Sequence, residues 1–233
     1  MKIGIICAME EEIAFLLSKL NNVEKKTVGP FVFYEGETQD GKEVVVVKCG
    51  IGKAMSAAGC ALLISNFNVG TVINSGVAGA LNPDLVPNDI VFSTGVMYHD
   101  VNFTPFNYKL GQMAGQPETY NPDPALLAKA DIAATIVPNL KERVKKGLVV
   151  SGDVFVNTKE QKEEILKNFP TAMVTECEGA SIAQIATSYR VPFIVIRAIS
   201  DTADEGKADN YEFNVNSAAE NSAKLVLALI KML

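Results

Sequence analysis

Two runs, Phe31-Val-Phe-Tyr-Glu-Gly-Glu37 and Glu43-Val-Val-Val-Val-Lys-Cys49, flank the dipeptide Asp40-Gly41. Runs of β-branched and aromatic residues around a turn that favours positive φ predict an antiparallel hairpin. On either side of it the hydrophobic period changes. Lys2–Ile6 is a short β-branched strand. Glu10–Leu20 then sets Ile13, Leu16, Leu17 and Leu20 on one face, the spacing of an amphipathic helix. Lys53–Phe67 and Glu178–Tyr189, rich in alanine and other small residues, read as helices that pack closely on a sheet. Strand signals recur at Thr71–Asn74, Asp89–Val96, Gly147–Ser151, Ala172–Glu176 and Pro192–Arg197. A last helix is expected over Asn216–Leu233, with Leu225, Val226, Leu229, Ile230 and Leu233 on one stripe. Strand–helix alternation with an interposed hairpin predicts an α/β fold, a three-layer α/β/α sandwich around a central mixed β-sheet. No Pro-rich linker, repeat or composition shift divides residues 1–233, so one domain is expected.

Composition narrows the function classes. The 233 residues carry 27 Asp+Glu against 21 Lys+Arg, a net charge of -6, with 48% hydrophobic and 21% charged residues. A chain of this size buries about 70–75% of its unfolded surface, enough for a core without disulfides or metal. The acidic balance speaks against nucleic acid or an anionic membrane as partner. No apolar run approaches the roughly 20 residues of a membrane span. The apolar opening is cut at Glu10, Glu11 and Glu12, which no secretory leader tolerates. Cys7, Cys49, Cys60 and Cys177 lack CxxC spacing and lie in apolar segments, as buried thiols of a reducing, cytoplasmic compartment would.

Met97–Asn121 has no clear period but holds Tyr98, Phe103, Phe106, Tyr108 and Tyr120. A loop this long in a compact domain usually serves function, and its aromatics suit a ligand wall or a subunit interface.

Several motifs fail on inspection. Gly36–Lys42 nearly matches a phosphate-binding loop, but Glu43 stands where a hydroxyl must reach magnesium, and the segment sits at a hairpin turn. Gly50-Ile51-Gly52-Lys53 lacks the third glycine of a dinucleotide fingerprint. The single histidine, His99, cannot build a multi-histidine zinc site, and no metal or cofactor is expected. With GxSxG also absent, catalysis must rest on carboxylates. Glu12 lies where the chain leaves the first strand, Glu176-Cys177-Glu178 joins an apolar strand to a helix, and Asp201 follows the strand holding Arg197. Glu10 and Glu11 read as complements to a helix dipole, and the acidic triplet could equally cap its helix or serve a site. Arg197 in an apolar strand demands a carboxylate partner. Several acids and one arginine at sheet ends describe an acid/base site for a neutral substrate.

Gly4-Ile-Ile-Cys-Ala-Met-Glu-Glu-Glu12, Cys49–Lys53, Asn74-Ser-Gly-Val-Ala-Gly79, Tyr98-His-Asp100, Ser151-Gly-Asp-Val-Phe-Val156, Thr175–Glu178 and Arg197-Ala-Ile-Ser-Asp201 together resemble the 5'-methylthioadenosine/S-adenosylhomocysteine nucleosidases. These stand within the nucleoside phosphorylase superfamily, and the blocks follow family order over essentially the whole chain. The resemblance implies a phosphorylase/hydrolase-like sandwich, a homodimer, and hydrolysis of the N-glycosidic bond of methylthioadenosine and S-adenosylhomocysteine, extending to 5'-deoxyadenosine. It implies that Asp201, supported by Ser200, protonates the leaving adenine at N7. That requires a proton a free Asp (pKa ~3.9) would have lost near neutrality. Glu12 then corresponds to the general base that activates water, Arg197 to the residue orienting that water, and Glu178 to the carboxylate gripping the ribose beside the Cys177 backbone. Phe155 corresponds to the residue stacked on adenine, and the Val156 main chain, Gly79 and Tyr211 to those reading the base. Met9, Ile51 and Phe106 and Tyr108 of the partner subunit would enclose the alkylthio group.

Departures from the family pattern fall beside this set. Cys177 replaces a methionine, Gly179 an alanine, Val77 a small hydroxyl residue, and Cys7 and Cys49 small residues. Three rivals remain to be separated. A phosphorylase of the same fold would use phosphate, which Glu12 at the nucleophile position would repel. A nucleosidase for a futalosine-type substrate would lack the thio-pocket residues. A non-catalytic nucleoside-binding protein would not need the four charged residues together.

Overall fold

The computed structural model describes residues 1–203 and 211–233, with side chains in the last helix described from Asn214 onward. In chain order the elements are β1 (Lys2–Cys7), α1 (Glu10–Leu17), β2 (Asn21–Val28), β3 (Phe31–Glu37), β4 (Glu43–Lys48), α2 (Lys53–Phe67) and β5 (Val69–Ala80). Next come β6 (Ile90–Tyr98), α3 (Pro124–Ile136), β7 (Val144–Ser151), α4 (Lys159–Asn168), β8 (Ala172–Glu176), α5 (Gly179–Ser188), β9 (Phe193–Asp201) and α6 (Tyr211–Lys231).

The hairpin expected around Asp40-Gly41 is β3–β4, antiparallel from Phe33↔Val47 to Glu37↔Glu43. Gly41 has φ +74°, the left-handed conformation this turn requires. β1 inserts parallel between β4 and β5, and β5 runs parallel to β9. Val44–Val47 are therefore covered on both faces, which is why that run shows no polar alternation.

Helices lie on both sides of the sheet. Cys60, Leu63 and Phe67 of α2 and Ala180, Ile182 and Ala183 of α5 pack on one face. Ile13 and Leu16 of α1, Leu126 and Ala130 of α3 and Leu225, Val226, Leu229 and Ile230 of α6 pack on the other. Each such leucine or isoleucine stabilises the fold by about 1.5–3 kcal/mol on burial. The α/β sandwich around a mixed sheet is thus the architecture observed.

The middle layer is more than a flat sheet. The order is β2-β3-β4-β1-β5-β8-β7-β6-β9, with β9 also pairing with β5. β5 is long enough to bend, and its end pairs antiparallel with β8 through Gly79↔Thr175 and Ala80↔Val174. The strands β5, β8, β7, β6 and β9 consequently close on themselves, removing the free edge that β9 would otherwise present. This closure brings the ends of β5, β8 and β9 together beside the start of α1.

Three elements escape the sequence expectations. β2 is exposed along nearly its whole length and shows no apolar alternation; pairing with β3 alone makes it a strand. α3 and α4 fill stretches that gave no periodic signal. Both are capped locally: Asp123 accepts the Ala125 and Leu126 N–H groups, and Thr158 forms a capping box with Gln161.

Candidate active site

Where β1, β5, β8 and β9 end, an open cleft of about 570 Å³, mouth included, is lined by residues from all four ends and from the turns after β4 and β7.

Glu12 stands in the first turn of α1, buried to 3% exposure. One oxygen accepts the N–H groups of Ala8 (2.7 Å) and Met9 (3.0 Å), and the other accepts that of Val77 (2.9 Å). It closes the N-terminus of its own helix while linking β1 to β5. Burial pushes its carboxyl upward, opposed by the Arg197 charge and by these three N–H bonds. Glu10 instead reaches Lys48 at 2.7 Å on the surface.

Arg197 is 1% exposed. Its Nη2 bonds Glu176 and also donates to Asn74 Oδ1 at 2.8 Å. Glu178 Oε2 lies 3.6 Å from the same nitrogen. Arg197 is not among the residues lining the cleft; its foremost partner is Glu176, which does line it. Arg197 and Glu12 nevertheless face each other across Gly76: a Cβ on that glycine would sit closer than 3.0 Å to the Arg197 guanidinium and to Glu12 Oε1.

The acidic triplet divides its labour. Glu176 accepts the N–H groups of Glu178 (3.0 Å) and Gly179 (2.7 Å), capping α5, and also bonds the Ser151 hydroxyl. The capping reading therefore belongs to Glu176. Glu178 makes no side-chain cap; it faces the cleft and accepts the Gly52 N–H at 3.0 Å. Burial, together with the neighbouring Glu176 charge, pushes its carboxyl up to about 7. Between them Cys177 is half-buried on the cleft wall, and burial pushes its thiol up to about 12. Cys7, Cys49 and Cys60 are buried and free.

On the facing side Asp201 receives the Ser200 hydroxyl at 2.7 Å on one oxygen and the Ala203 N–H at 2.9 Å on the other. Gly79 pairs with Asp201 across β5–β9, and a side chain at Gly79 would come within 2.9 Å of the Asp201 carboxyl. Phe155, 59% exposed, overhangs the cleft while Val156 is buried in its floor. Met9 and Ile51 complete the rim.

The sequence profile of the phosphorylase superfamily matches residues 2–231. A 5'-methylthioadenosine/S-adenosylhomocysteine nucleosidase from Psychromonas ingrahamii is 42% identical over 233 residues, covering 100% of both chains. One from Staphylococcus epidermidis is 43% identical over 232 residues, covering 99% of this chain and 100% of its own. The chain belongs to the 5'-methylthioadenosine/S-adenosylhomocysteine nucleosidase family of the phosphorylase superfamily. Among solved structures, the family member from Neisseria meningitidis in complex with methylthio-immucillin-A superposes with a TM-score of 0.96 at 39% identity, covering 100% of this chain and 99% of that one.

Of the residues expected at the site, Glu12, Glu178, Asp201, Ser200, Gly79, Phe155, Val156, Cys177, Met9 and Ile51 line the one cleft. Phe106 and Tyr108 do not line it: Phe106 is 72% exposed on the loop after β6, where Tyr108 packs edge-on against Phe103. Tyr211 opens α6, and its side chain lies outside the described residues. The sequence named Glu176 only within the acidic triplet and gave it no separate role at the site. The demand of Arg197 for a carboxylate partner pointed to it without choosing between Glu176 and Glu178.

Proposed function

We propose that the chain hydrolyses the N-glycosidic bond of 5'-methylthioadenosine and S-adenosylhomocysteine, releasing adenine and the corresponding thioribose, as in methionine salvage. The observation that carries this reading is the placement of Glu12, Glu178 and Asp201 on different walls of one cleft. The family names of the relatives agree with it.

Breaking the bond leaves positive charge on the ribose and negative charge on adenine. In this reading Asp201 supplies a proton to adenine N7, its carboxyl aimed by Ser200 and the Ala203 N–H. Glu178 accepts the ribose hydroxyls, and its charge favours the oxocarbenium-like transition state. Glu12, fixed by three N–H donors, takes the proton of the attacking water. Arg197, across Gly76 and off the cleft lining, offsets the crowd of carboxylates and helps orient that water through Glu12. Phe155 stacks on the base, Gly79 and the Val156 main chain read its edge, and Met9 and Ile51 enclose the alkylthio group.

The high exposure of Ile51, Phe106 and Phe155 supports a homodimer in which the partner subunit's Phe106 and Tyr108 close the thio end of the cleft. Among the described residues no helix is long and apolar enough to cross a membrane. With its free thiols, a cytoplasmic location completes the reading.

Water rather than phosphate is the nucleophile in this account. Among the described residues the cleft is lined by Glu12, Glu176, Glu178 and Asp201 and by no Lys or Arg, so a phosphate dianion would be repelled. Product analysis tests it: methylthioadenosine should yield adenine and free methylthioribose. A sugar 1-phosphate would replace the reading with phosphorolysis.

A further inference from the structure

Three motifs in which Ile51 alone carries a proposed role, Cys49–Lys53, Tyr98–Asp100 and Ser151–Asp153, meet at one side chain. Lys53 Nζ lies 2.5 Å from Asp100 Oδ2 and 3.8 Å from Asp153 Oδ2, and 5.4 Å from the centre of the Tyr98 ring. Backbone bonds reinforce the knot. Asp153 Oδ1 accepts the Lys53 N–H at 2.8 Å, and Asp100 Oδ2 accepts the Asp153 N–H at 2.9 Å. Burial works against the Asp100 carboxylate, but the Lys53 side chain and the Asp153 N–H hold it below the usual range. There is no room for slack: a Cβ on Gly52 would lie 3.1 Å from Asp153 Oδ1, and Gly52 itself has φ +97°.

The knot sits immediately behind the cleft. Gly52, next to Lys53, donates its N–H to Glu178 at 3.0 Å, and Ile51 stands on the rim. Asp153 begins the segment that carries Phe155 and Val156. Lys53 therefore ties the turn before α2 to the loop after β7, and both to the end of β6.

We propose that Lys53, clamped between Asp100 and Asp153, is a positioning residue for nucleoside recognition: it sets the Gly52 N–H on Glu178 and holds the Phe155–Val156 segment at the base end of the cleft. The inference rests on the roles proposed above for Glu178 and Phe155. Lys53 touches no substrate in this arrangement and acts through the backbone on either side of it. Misplacing a recognition group by about an ångström can cost up to about a hundredfold, and a loosened rim should appear in KM before kcat.

Lys53→Met is expected to raise KM for methylthioadenosine about tenfold with kcat within about twofold, and Lys53→Arg, which can span both aspartates, to recover most of the loss. A second readout separates positioning from mere stability. Glu178 is faced by Glu176, Arg197, Glu12, the Cys49 and Cys177 thiols and the Gly52 N–H, and of these the Gly52 N–H is the one set by the backbone next to Lys53. Weakening that bond disfavours the charged carboxyl, so the acidic limb of kcat/KM should move to higher pH in Lys53→Met. Asp100→Asn carries the same two expectations and serves if Lys53→Met folds poorly. An active wild-type protein whose Lys53→Met and Asp100→Asn variants keep its KM and pH profile overturns this inference alone. A wild-type protein that releases no adenine overturns the hydrolase reading and this inference with it.

Discussion

Nη2 of Arg197 lies 3.6 Å from Oε2 of Glu178, while the same nitrogen is bonded to Glu176 and Asn74. Glu178 thus receives only a share of the arginine's charge and feels the full repulsion of Glu176. Its carboxyl is pushed up to about 7 by burial and by that neighbour. Ribose hydroxyls need a carboxylate acceptor, so KM for methylthioadenosine should rise as pH falls below about 7. Glu178→Gln should raise KM at alkaline pH and flatten the dependence. Steady-state kinetics across pH decides this; an unchanged slope in Glu178→Gln would contradict it.

Stability carries the opposite signature. A carboxyl raised above its unfolded value of 4.5 contributes stability that is fully present below that value and is lost as pH rises through about 7. Glu178→Gln should therefore gain Tm relative to wild type more at about pH 8 than at about pH 5, read by thermal unfolding.

Glu12→Gln places an amide NH2 against N–H donors, because both carboxylate oxygens already accept from Ala8, Met9 or Val77. One donor must go unsatisfied at a cost of about 1–3 kcal/mol. Denaturant unfolding should show that loss, alongside loss of adenine release as the base disappears. Full activity in Glu12→Gln would remove it from the role of base.

The Arg197–Glu176 pair is buried on both sides, at 1% and 3% side-chain exposure. Arg197→Met alone leaves Glu176 charged in the core and should cost about 3–5 kcal/mol. Adding Glu176→Gln should recover a large part of it, so a double-mutant cycle should return strong coupling. Additive losses would mean that the pair is not the partnership the geometry indicates.

Asp201→Asn keeps the shape of the acid and removes its proton. Adenine release should fall by about 10²–10⁴, with binding of an unreactive nucleoside analogue largely spared when measured by calorimetry. Unchanged turnover would defeat the assignment.

Much of this was legible beforehand because local rules sufficed. The Asp40-Gly41 hairpin, the Lys53–Phe67 helix and the strand Ala172–Glu176 follow from turn chemistry and period, and the structure gives the last two the same bounds. β2 was not legible, since Asn21–Val28 is a polar edge held by pairing alone. The closure of β5 onto β8 was hidden because only Gly79 and Ala80 make it. At the site, carboxylates next to strand ends were visible as residues out of place. Which of Glu176 and Glu178 would neutralise Arg197 depends on how β8 and β9 both come to pair with β5, which no spacing reveals. Phe106 and Tyr108 stood out as aromatics without a period, and within the chain they remain away from the cleft.

The most direct test of the account is the rate of adenine release from methylthioadenosine by the purified protein, with and without added phosphate. Release at the same rate in both conditions is expected, because the carboxylate-lined cleft admits water and repels the dianion. Release that requires phosphate would contradict the hydrolase and the role of Glu12 as its base.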